Sequence, residues 1–286
     1  MAIKPSVYII IVNWNGWCDT LVCLNSIRNL HYSNFRIILV DNASTDGSIS
    51  KIKAAQIKLE IIESNKNLGF GGGCNLGIRR AFEDRAKYVW LVNSDTMVDP
   101  RALSALVEVA ESDSRLGGVG SVLYYMNDPD QVQAWGGGQV NLWLGVVRHF
   151  YSLPTQERRL DFLTGASLLL RCSALNTVGI FDDRYFLYWE DTDLCFRLRK
   201  AGWKLATAPT SKLLHKESAS LGKKSPTVDA YFSASAVLFF KKHAAIPILP
   251  IVFGIGGRFL KRVIHGDLKR ARAVWQGFWS AILIAR

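Results

Sequence analysis

The sequence predicts an α/β fold with a mostly parallel, doubly wound sheet and flanking helices, followed by a basic, apolar helical region at the C-terminal end. In the first half of the 286-residue chain, short apolar runs alternate with longer segments of helical spacing. The composition, 49% hydrophobic and 21% charged, is that of a folded protein and excludes collagen-like and disordered classes. The net charge of +11 is concentrated at the end, because residues 221–286 hold 11 basic and only 2 acidic side chains.

Four apolar runs are predicted as parallel strands buried on both faces, because they are too continuously apolar for half-exposed strands. They are residues 7–12, 35–40, 59–62 and 88–92. The segments that follow them are predicted as helices, over residues 19–30, 46–56, 71–82 and 100–111. Asp19 and Asp46 are the expected N-caps, and Pro100 is expected at a first helical position. Repeats of strand and helix imply right-handed crossovers.

Polar residues follow each predicted strand at once. They are Asn13, Asp41, Asn67 and the run Asn93, Ser94 and Asp95. For any one cluster a role in a turn or cap is the better explanation. The carboxyl ends of parallel strands, however, lie along one edge of the sheet, where ligands of open α/β sheets bind. The convergence of four clusters therefore predicts a binding site, in which Asp41 and Asp95 suit a nucleoside or ribose and a hard cation.

A glycine-rich run, residues 69–73, opens the third predicted helix, so its free N–H groups could face a diphosphate. A turn that allows close packing explains the glycines equally well. The run follows the third strand and lacks the G-x-G-x-x-G spacing. That position argues against a nicotinamide-dependent dehydrogenase.

Three acids begin a predicted helix in the second half, after an aromatic run. They are Glu190, Asp191 and Asp193. Acids in a first turn often only complement the helix dipole, which explains at least one of them. Carboxylates beside Trp189 lose hydration, which raises their pKa and makes them better proton acceptors for a substrate hydroxyl. His215 follows a further predicted strand, and a lone His is more often structural unless it reaches a metal or carboxylate site.

The ordered motifs of residues 7–217 resemble the family 2 glycosyltransferases, which are inverting nucleotide-sugar transferases with a GT-A fold. Within that family they are most similar to bacterial rhamnosyltransferases and galactofuranosyltransferases. The motifs are IIIVNWNG, LVDNASTDGS, NKNLGFGGGCNLGI, WLVNSD, FLTGASLLLR and YWEDTDLCFRLRKAGWK. The resemblance implies a Rossmann-like transferase domain over residues 1–220, with a donor half of about 1–115 and an acceptor half of about 116–220, and a separate tail over 221–286.

The resemblance also implies roles for individual residues. Asp191 corresponds to the catalytic base, and the acceptor would be positioned by Trp189, Glu190, Thr164 and Gly165. The donor would be bound by Asn13, Asp41, Asn67, Gly71, Asn93, Ser94 and Asp95. Asp95 matches the last acid of the family's metal motif, and His215 would be the second ligand of Mg²⁺ or Mn²⁺. Asn93 stands where the first acid of that motif usually lies, which leaves one negative charge fewer for the cation.

The implied activity moves a sugar from a nucleotide-sugar donor to a lipid-linked or cell-surface glycan precursor, such as a polyprenyl-diphosphate intermediate. Rhamnose from dTDP-rhamnose is the favoured donor. A UDP-hexose or UDP-galactofuranose is the alternative, because the loops at 13–15 and 41–44 do not distinguish thymine from uracil. A non-catalytic nucleotide-sugar binding subunit is a further hypothesis, supported only by Asn93.

The tail combines apolar blocks with basic side chains. Trp275, Phe278 and Trp279 are expected to anchor it in a bilayer interface, with its Lys and Arg residues toward anionic headgroups. A solvated helical subdomain or a homo-oligomer interface is the alternative. Nucleic-acid binding is not expected, because the basic residues are interleaved with apolar blocks.

Cellular location is predicted from three features. No apolar block of the tail reaches the roughly 18 residues of a conventional membrane span. The five Cys form no C-x-x-C pair, and residues 1–6 lack the layout of a secretory signal. These features predict a cytoplasmic protein that is peripheral on the inner face of the cell membrane.

Overall fold

The computed structural model describes residues 4–153, 159–216 and 225–284. Its strands are β1 (Val7–Asn13), β2 (Phe35–Asp41), β3 (Glu60–Glu63), β4 (Tyr88–Asn93), β5 (Thr96–Val98), β6 (Leu116–Tyr125), β7 (Asp128–Trp135), β8 (Gly137–Asn141), β9 (Val146–His149), β10 (Phe162–Leu163), β11 (Ser167–Arg171) and β12 (Lys204–His215). The predicted boundary between transferase domain and tail, at residue 220, lies outside the described residues.

The helices alternate with these strands and then continue alone. They are α1 (Trp17–Ile27), α2 (Ser48–Ala54), α3 (Gly69–Glu83), α4 (Ala102–Ser112), α5 (Cys172–Val178), α6 (Glu190–Lys200), α7 (Pro226–His243), α8 (Ile248–Pro250), α9 (Gly257–Ile264) and α10 (Leu268–Ile284). A π-helical segment, Ile251–Gly256, joins α8 to α9. In the part of the chain that the structure describes, no helix is both long and apolar enough to cross a bilayer.

The main sheet has the order β3-β2-β1-β4-β11-β6-β12-β5, and β7 pairs with β6 outside this path. Strands β3, β2, β1 and β4 run parallel, whereas β11 runs antiparallel to both of its neighbours. Asn13 is in register with Asp41, and Asn93 with Val12. The carboxyl ends of these strands therefore lie along one edge, as in the predicted α/β fold, which is confirmed.

The third predicted strand differs from the prediction. It forms as Glu60–Glu63, and its side chains are exposed or half-buried rather than buried on both faces. The reason is its place at the edge of the sheet, where β2 is its one neighbour in the strand order. Edge strands commonly carry charged residues, which discourage pairing with another chain.

The starts of three helices also differ from the prediction. Gly16 is the N-cap of α1, so Asp19 lies within its first turn. Gly47 is the N-cap of α2, and Asp46 instead accepts a hydrogen bond from the Ser48 N–H at 3.0 Å. Helix α4 begins at Ala102, two residues after Pro100.

The region 124–151 is rich in aromatic residues and glycine and forms regular strands. It contains β7 and two strands of a small sheet of order β10-β8-β9. The backbone of Gly138 pairs with His149 on one side and Phe162 on the other. Small residues at the centre allow these three backbones to approach closely.

Helix α7, the first described element of the tail, packs against α6 and shares its hydrophobic core. Trp189, just before α6, contacts the rings of Phe239 and Phe240 at centroid distances of 4.7 and 5.1 Å. Three arginines of the tail differ from the expectation that its basic side chains face headgroups. Arg258, Arg262 and Arg270 are directed at the buried carboxylate of Asp229 on α7.

Candidate active site

A cavity of about 610 Å³ opens at the carboxyl edge of β1, β2 and β4. The residues predicted from the sequence that line it are Asn67, Asn93, Ser94, Asp95, Thr164, Gly165, Trp189, Glu190, Asp191 and His215. Three predicted donor residues, Asn13, Asp41 and Gly71, are buried and are not among the lining residues. The structure therefore brings the predicted metal and acceptor groups around one space.

Asn13 and Asp41 organise the turn after β2. The Asn13 amide donates to the Asp41 carboxylate at 2.9 Å, and Ser44 donates to the same carboxylate through its N–H at 2.9 Å and its hydroxyl at 2.6 Å. Thr20 donates to the Asn13 oxygen at 2.7 Å. These bonds hold the turn that contains Asn42, and Asn42 itself lines the cavity.

Asn42 connects that turn to the loop that opens α3. Its amide donates to the Asn67 side chain at 3.0 Å and to the Gly69 carbonyl at 2.9 Å. Gly69 has a φ of +75°, and a Cβ there would lie 1.9 Å from the Phe186 carbonyl oxygen. Only glycine fits such a close approach of two backbones. The approach brings the start of α3 against the segment that leads to Asp191.

Asp95 and His215 form the predicted metal pair. His215 Nε2 lies 3.3 Å from an Asp95 carboxylate oxygen and 3.3 Å from the Asn93 amide nitrogen. His215 Nδ1 lies 2.7 Å from the Gln133 side-chain oxygen. Because that oxygen can only accept, Nδ1 donates to it, and Nε2 is directed toward Asp95.

This pair suits a divalent cation whose remaining ligands come from the substrate. An Asp95 carboxylate oxygen and the His215 Nε2 nitrogen face each other, and Gln133 orients the imidazole as outer partners of metal ligands do. Among residues 4–153, 159–216 and 225–284, no group of three or more His, Cys, Asp and Glu could hold a metal. Mg²⁺-type sites often use one or two protein ligands together with phosphate oxygens and water.

Asp191 lines the same cavity and lies in the first turn of α6. The Gly165 N–H donates to one of its oxygens at 2.8 Å, and the Thr192 N–H donates to the other at 2.6 Å. Burial raises the pKa of Asp191 above its ordinary value, against the lowering effect of these N–H groups. A raised pKa makes the carboxylate a stronger base toward a substrate hydroxyl.

The turn before α6 is strained and is held by α7. Tyr188 and Trp189 have φ values of +68° and +70°, which residues other than glycine rarely adopt. The Ser235 hydroxyl on α7 donates to the Leu187 carbonyl at 2.8 Å. Strain of this kind is concentrated at functional sites and persists only where the surroundings enforce it. Helix α7 thus helps to orient Asp191.

Glu190 points into the interior beneath α3. It is buried, and one of its carboxyl oxygens has no hydrogen-bond partner among the residues that the structure describes. A Cβ on Gly71 would lie 3.5 Å from its Cβ and Cγ atoms. Burial, together with the charge of Asp191, raises the pKa of Glu190 well above its ordinary value. Gly71 therefore makes room for a carboxyl group that is most stable in the protonated form.

We expect Glu190→Gln to make the protein relatively more stable as the pH rises. A carboxyl whose folded-state pKa is raised gives its full stability below the unfolded pKa, and loses it as pH rises toward the folded pKa. Glutamine is neutral at every pH. Urea unfolding at pH 5 and pH 7 should show the variant gaining on wild type by about 1–2 kcal/mol. The exposed Glu108→Gln is the control, and equal pH dependence in the two variants would contradict the assignment.

Sequence reasoning missed several residues that line the cavity. Gln133 from β7, His149 from β9, and Tyr231 and Phe232 from α7 all contribute. They come from segments that no motif marked. Their one signal was the aromatic content of the chain between residues 124 and 151 and in the tail.

This fold and cavity define the chain as a GT-A glycosyltransferase in architecture. It superposes on GalNAc-T7, solved with UDP, GalNAc and Mn²⁺, with a TM-score of 0.66 and 13% identity, over 83% of this chain and 48% of that one. The chain thus spans about half the length of that structure. A mannosyltransferase from Pyrobaculum calidifontis, solved with GDP-Man and Mn²⁺, matches with a TM-score of 0.61 and 16% identity, over 99% and 76% of the two chains. At these identities the likeness shows the fold.

The chain belongs to Glycosyl transferase family 2, whose sequence model matches residues 8–179. The N-acetylglucosaminyl-diphospho-decaprenol L-rhamnosyltransferase of Mycobacterium tuberculosis is 28% identical over 266 residues, which are 82% of this chain and 85% of the relative. A galactofuranosyltransferase of the same organism is 31% identical over 189 residues, 63% and 60% of the two chains. The predicted family is confirmed, and the chain is a glycosyltransferase.

Proposed function

We propose that this glycosyltransferase moves rhamnose from dTDP-rhamnose to a hydroxyl of a lipid-linked glycan precursor, with inversion at the anomeric carbon. One observation carries the proposal. A single cavity is lined by Asp95 and His215, where a nucleotide diphosphate would bind, and by Asp191, which is half-buried. An acceptor hydroxyl between them would have a leaving group on one side and a base on the other.

The proposed transfer uses the chain's own groups as follows. Asp191 takes the proton from the acceptor hydroxyl as its oxygen attacks the anomeric carbon. The bond from that carbon to the diphosphate breaks, and the electron pair leaves with the nucleoside diphosphate. The N–H groups of Gly165 and Thr192 orient the Asp191 carboxylate. Attack from the face opposite the leaving group inverts the configuration.

Asp95 and His215 would hold Mg²⁺ or Mn²⁺ beside the diphosphate. A cation bound there would supply charge neutralisation for the leaving group. Asn93 would contribute without a charge, and its amide already lies 3.3 Å from His215. Ser94 and Asn67 line the same cavity, and we assign both to the donor.

The acceptor and donor assignments draw on the two relatives. One is named for rhamnosyl transfer to N-acetylglucosaminyl-diphospho-decaprenol, and it aligns over most of both chains. The other is named for galactofuranosyl transfer and supports UDP-galactofuranose as the alternative donor. UDP-hexoses remain the third donor class.

A donor panel tests the proposal. The full chain would be incubated with dTDP-rhamnose, UDP-galactofuranose or UDP-hexoses, each with an N-acetylglucosaminyl-diphospho-prenol acceptor, in Mg²⁺, Mn²⁺ or chelator. We expect acceptor-dependent release of nucleoside diphosphate, fastest from dTDP-rhamnose and lost in chelator. A product with the donor's anomeric configuration would contradict the inverting mechanism. Release from no donor would favour the non-catalytic subunit.

We also propose that the protein is peripheral on an anionic membrane, through a face that we call the apolar face. It comprises Trp143, Leu144 and Val146 at the β8–β9 tip and Ile248, Val252 and Phe253 in the tail, all exposed. The two parts adjoin, because a Cβ on Gly145 would lie 2.2 Å from the Pro250 carbonyl oxygen. Exposed apolar residues beside a basic tail fit a bilayer interface with anionic lipid.

Replacing Phe253 with Asp should release the protein from vesicles. Removing one buried aromatic anchor costs about 2 kcal/mol or more, so partitioning onto vesicles of phosphatidylglycerol and phosphatidylethanolamine should fall at least about tenfold. Val22→Asp, at another exposed apolar position on α1, is the matched control and should float like wild type. Equal flotation of all three proteins would place the membrane contact elsewhere, and no flotation of wild type would refute it.

A further inference from the structure

Three guanidinium groups converge on one buried carboxylate where α7, α9 and α10 meet. Asp229 is fully buried, and Arg258, Arg262 and Arg270 approach it to 2.8, 3.2 and 2.5 Å. Arg270 also lies 3.8 Å from Asp267. Three cations thus face two carboxylates and leave one positive charge in excess. We call this group the arginine cluster.

The arginine cluster adjoins the cavity through helix α7. Tyr231 and Phe232, from the same helix as Asp229, line that cavity. The Arg258 guanidinium lies 4.0 Å from the centroid of the Phe232 ring. Phe232 in turn meets the Trp189 ring edge-on at 5.5 Å, and Trp189 is two residues before Asp191. One aromatic side chain therefore separates the Arg258 cation from the turn that presents the base.

The helix that carries two of these arginines also has an exposed apolar surface. Helix α9, which contains Arg258 and Arg262, exposes Leu260, Val263 and Ile264. Contacts therefore link three features in turn: Phe232 lines the cavity, Arg258 lies on the Phe232 ring, and the helix that carries Arg258 also exposes apolar side chains. A molecule that joins a sugar to a hydrocarbon chain through an anionic group has the same order.

We propose that the arginine cluster binds the diphosphate of the lipid-linked acceptor, with the sugar in the cavity and the hydrocarbon chain along α9. This inference rests on the proposed function. Guanidinium groups match phosphate oxygens with two parallel hydrogen bonds, which a single ammonium cannot do. Asp229 orients the three groups and offsets their mutual repulsion. Arg258 is the principal contact, because its side chain is the most exposed of the three, at 28%.

Two acceptors that share one sugar separate diphosphate binding from support of the fold. In one, the sugar is joined to a prenyl chain through a diphosphate; in the other, it is joined directly to an uncharged alkyl chain. We expect Arg258→Gln to lower kcat/KM for the diphosphate acceptor at least about tenfold, mainly through KM, the size expected for a lost charge-assisted contact. The uncharged acceptor should change less than about twofold, because it makes no such contact.

Two further variants complete the experiment. Arg258→Lys keeps the charge but not the paired hydrogen bonds, and should restore part of the loss. Arg272→Gln, at an exposed basic position on α10, should leave both acceptors unaffected. If Arg258→Gln lowers both acceptors equally, or neither, the proposal is overturned.

Failure of the proposed function has a different signature, namely no transfer by wild type to either acceptor from any donor. The cluster is then judged by binding alone, with farnesyl diphosphate as the probe in the presence of chelator. At least about tenfold weaker binding by Arg258→Gln than by wild type supports the diphosphate site. Equal binding by the two proteins, or none by either, overturns it.

Discussion

Replacing Asp191 with Asn should lower kcat by about 10²- to 10⁴-fold, the contribution typical of a general base. The amide keeps the size of the side chain and can still accept the Gly165 N–H at one oxygen. It cannot take a proton from the acceptor hydroxyl. Donor binding, measured by calorimetry with the nucleoside diphosphate, should change less than about twofold, because we assign Asp191 to the acceptor hydroxyl and Asp95 to the donor.

The pH profile of wild type gives a second measurement of the same assignment. Burial raises the pKa of Asp191, so the acidic limb of kcat/KM should titrate above the usual value for Asp, which is about 3.9. Activity should rise with pH through that pKa, because only the carboxylate accepts a proton. Asp113→Asn, at the opposite edge of the sheet before β6, is the control and should keep both rate and profile. Near-normal turnover by Asp191→Asn would show that another group is the base.

Elements defined by local chemistry were predictable from the sequence. The continuous apolar runs around Ile10 and Leu91 allow only strands covered on both faces, and both residues are fully buried or nearly so. The acids of residues 190–193 do begin a helix, α6, at Glu190. In each case the residues that specify the element lie within it, so no distant contact had to be known.

Features defined by distant contacts were not predictable. Gln133 faces His215 across 82 positions of sequence, and a glutamine in a polar strand carries no mark of that role. Asp41 was predicted to contact the donor, and the sequence did not show that Asn13 and Ser44 donate hydrogen bonds to its carboxylate. In both cases the sequence shows the functional group but not its partner.

The tail shows the same limit for charge. A run of basic and apolar residues predicted cations directed at headgroups, but the single acid Asp229 lies inside α7 and draws three arginines to itself. Pairing of these arginines with the buried carboxylate is favoured over their exposure to solvent, because an unpaired charge in the interior costs several kcal/mol. The sequence pattern therefore identified the basic side chains of the tail, but it did not predict the direction in which these three arginines point.

Asp193→Asn is expected to destabilise the fold by about 3–5 kcal/mol, the cost of breaking a buried ion pair from one side. Asp193 is fully buried on α6, where Arg197 and Lys242 each lie 2.8 Å from it and His243 lies 2.7 Å away. Lys242 and His243 end α7. Loss of the carboxylate leaves Arg197 without its acidic partner, although Lys242 keeps its ion pair with Asp182 at 3.1 Å. It also removes the contacts from Lys242 and His243 that tie α7 to the helix carrying Asp191.

Acid unfolding distinguishes this ion-pair network from a simple packing effect. Burial alone would raise the pKa of Asp193, but the bonds from His243, Lys242 and Arg197 lower it to about 2. A lowered pKa gives stability that is complete above the unfolded value of about 3.9 and is lost as pH falls toward 2. Urea unfolding should therefore show the gap between wild type and Asp193→Asn narrowing below pH 4. Asp113→Asn, whose ion pairs with Arg115 and Lys204 are partly exposed, should cost less than about 1 kcal/mol. A gap for Asp193→Asn that stays constant with pH would contradict the role of the charge, because protonation of Asp193 in wild type removes the same charge that the substitution removes.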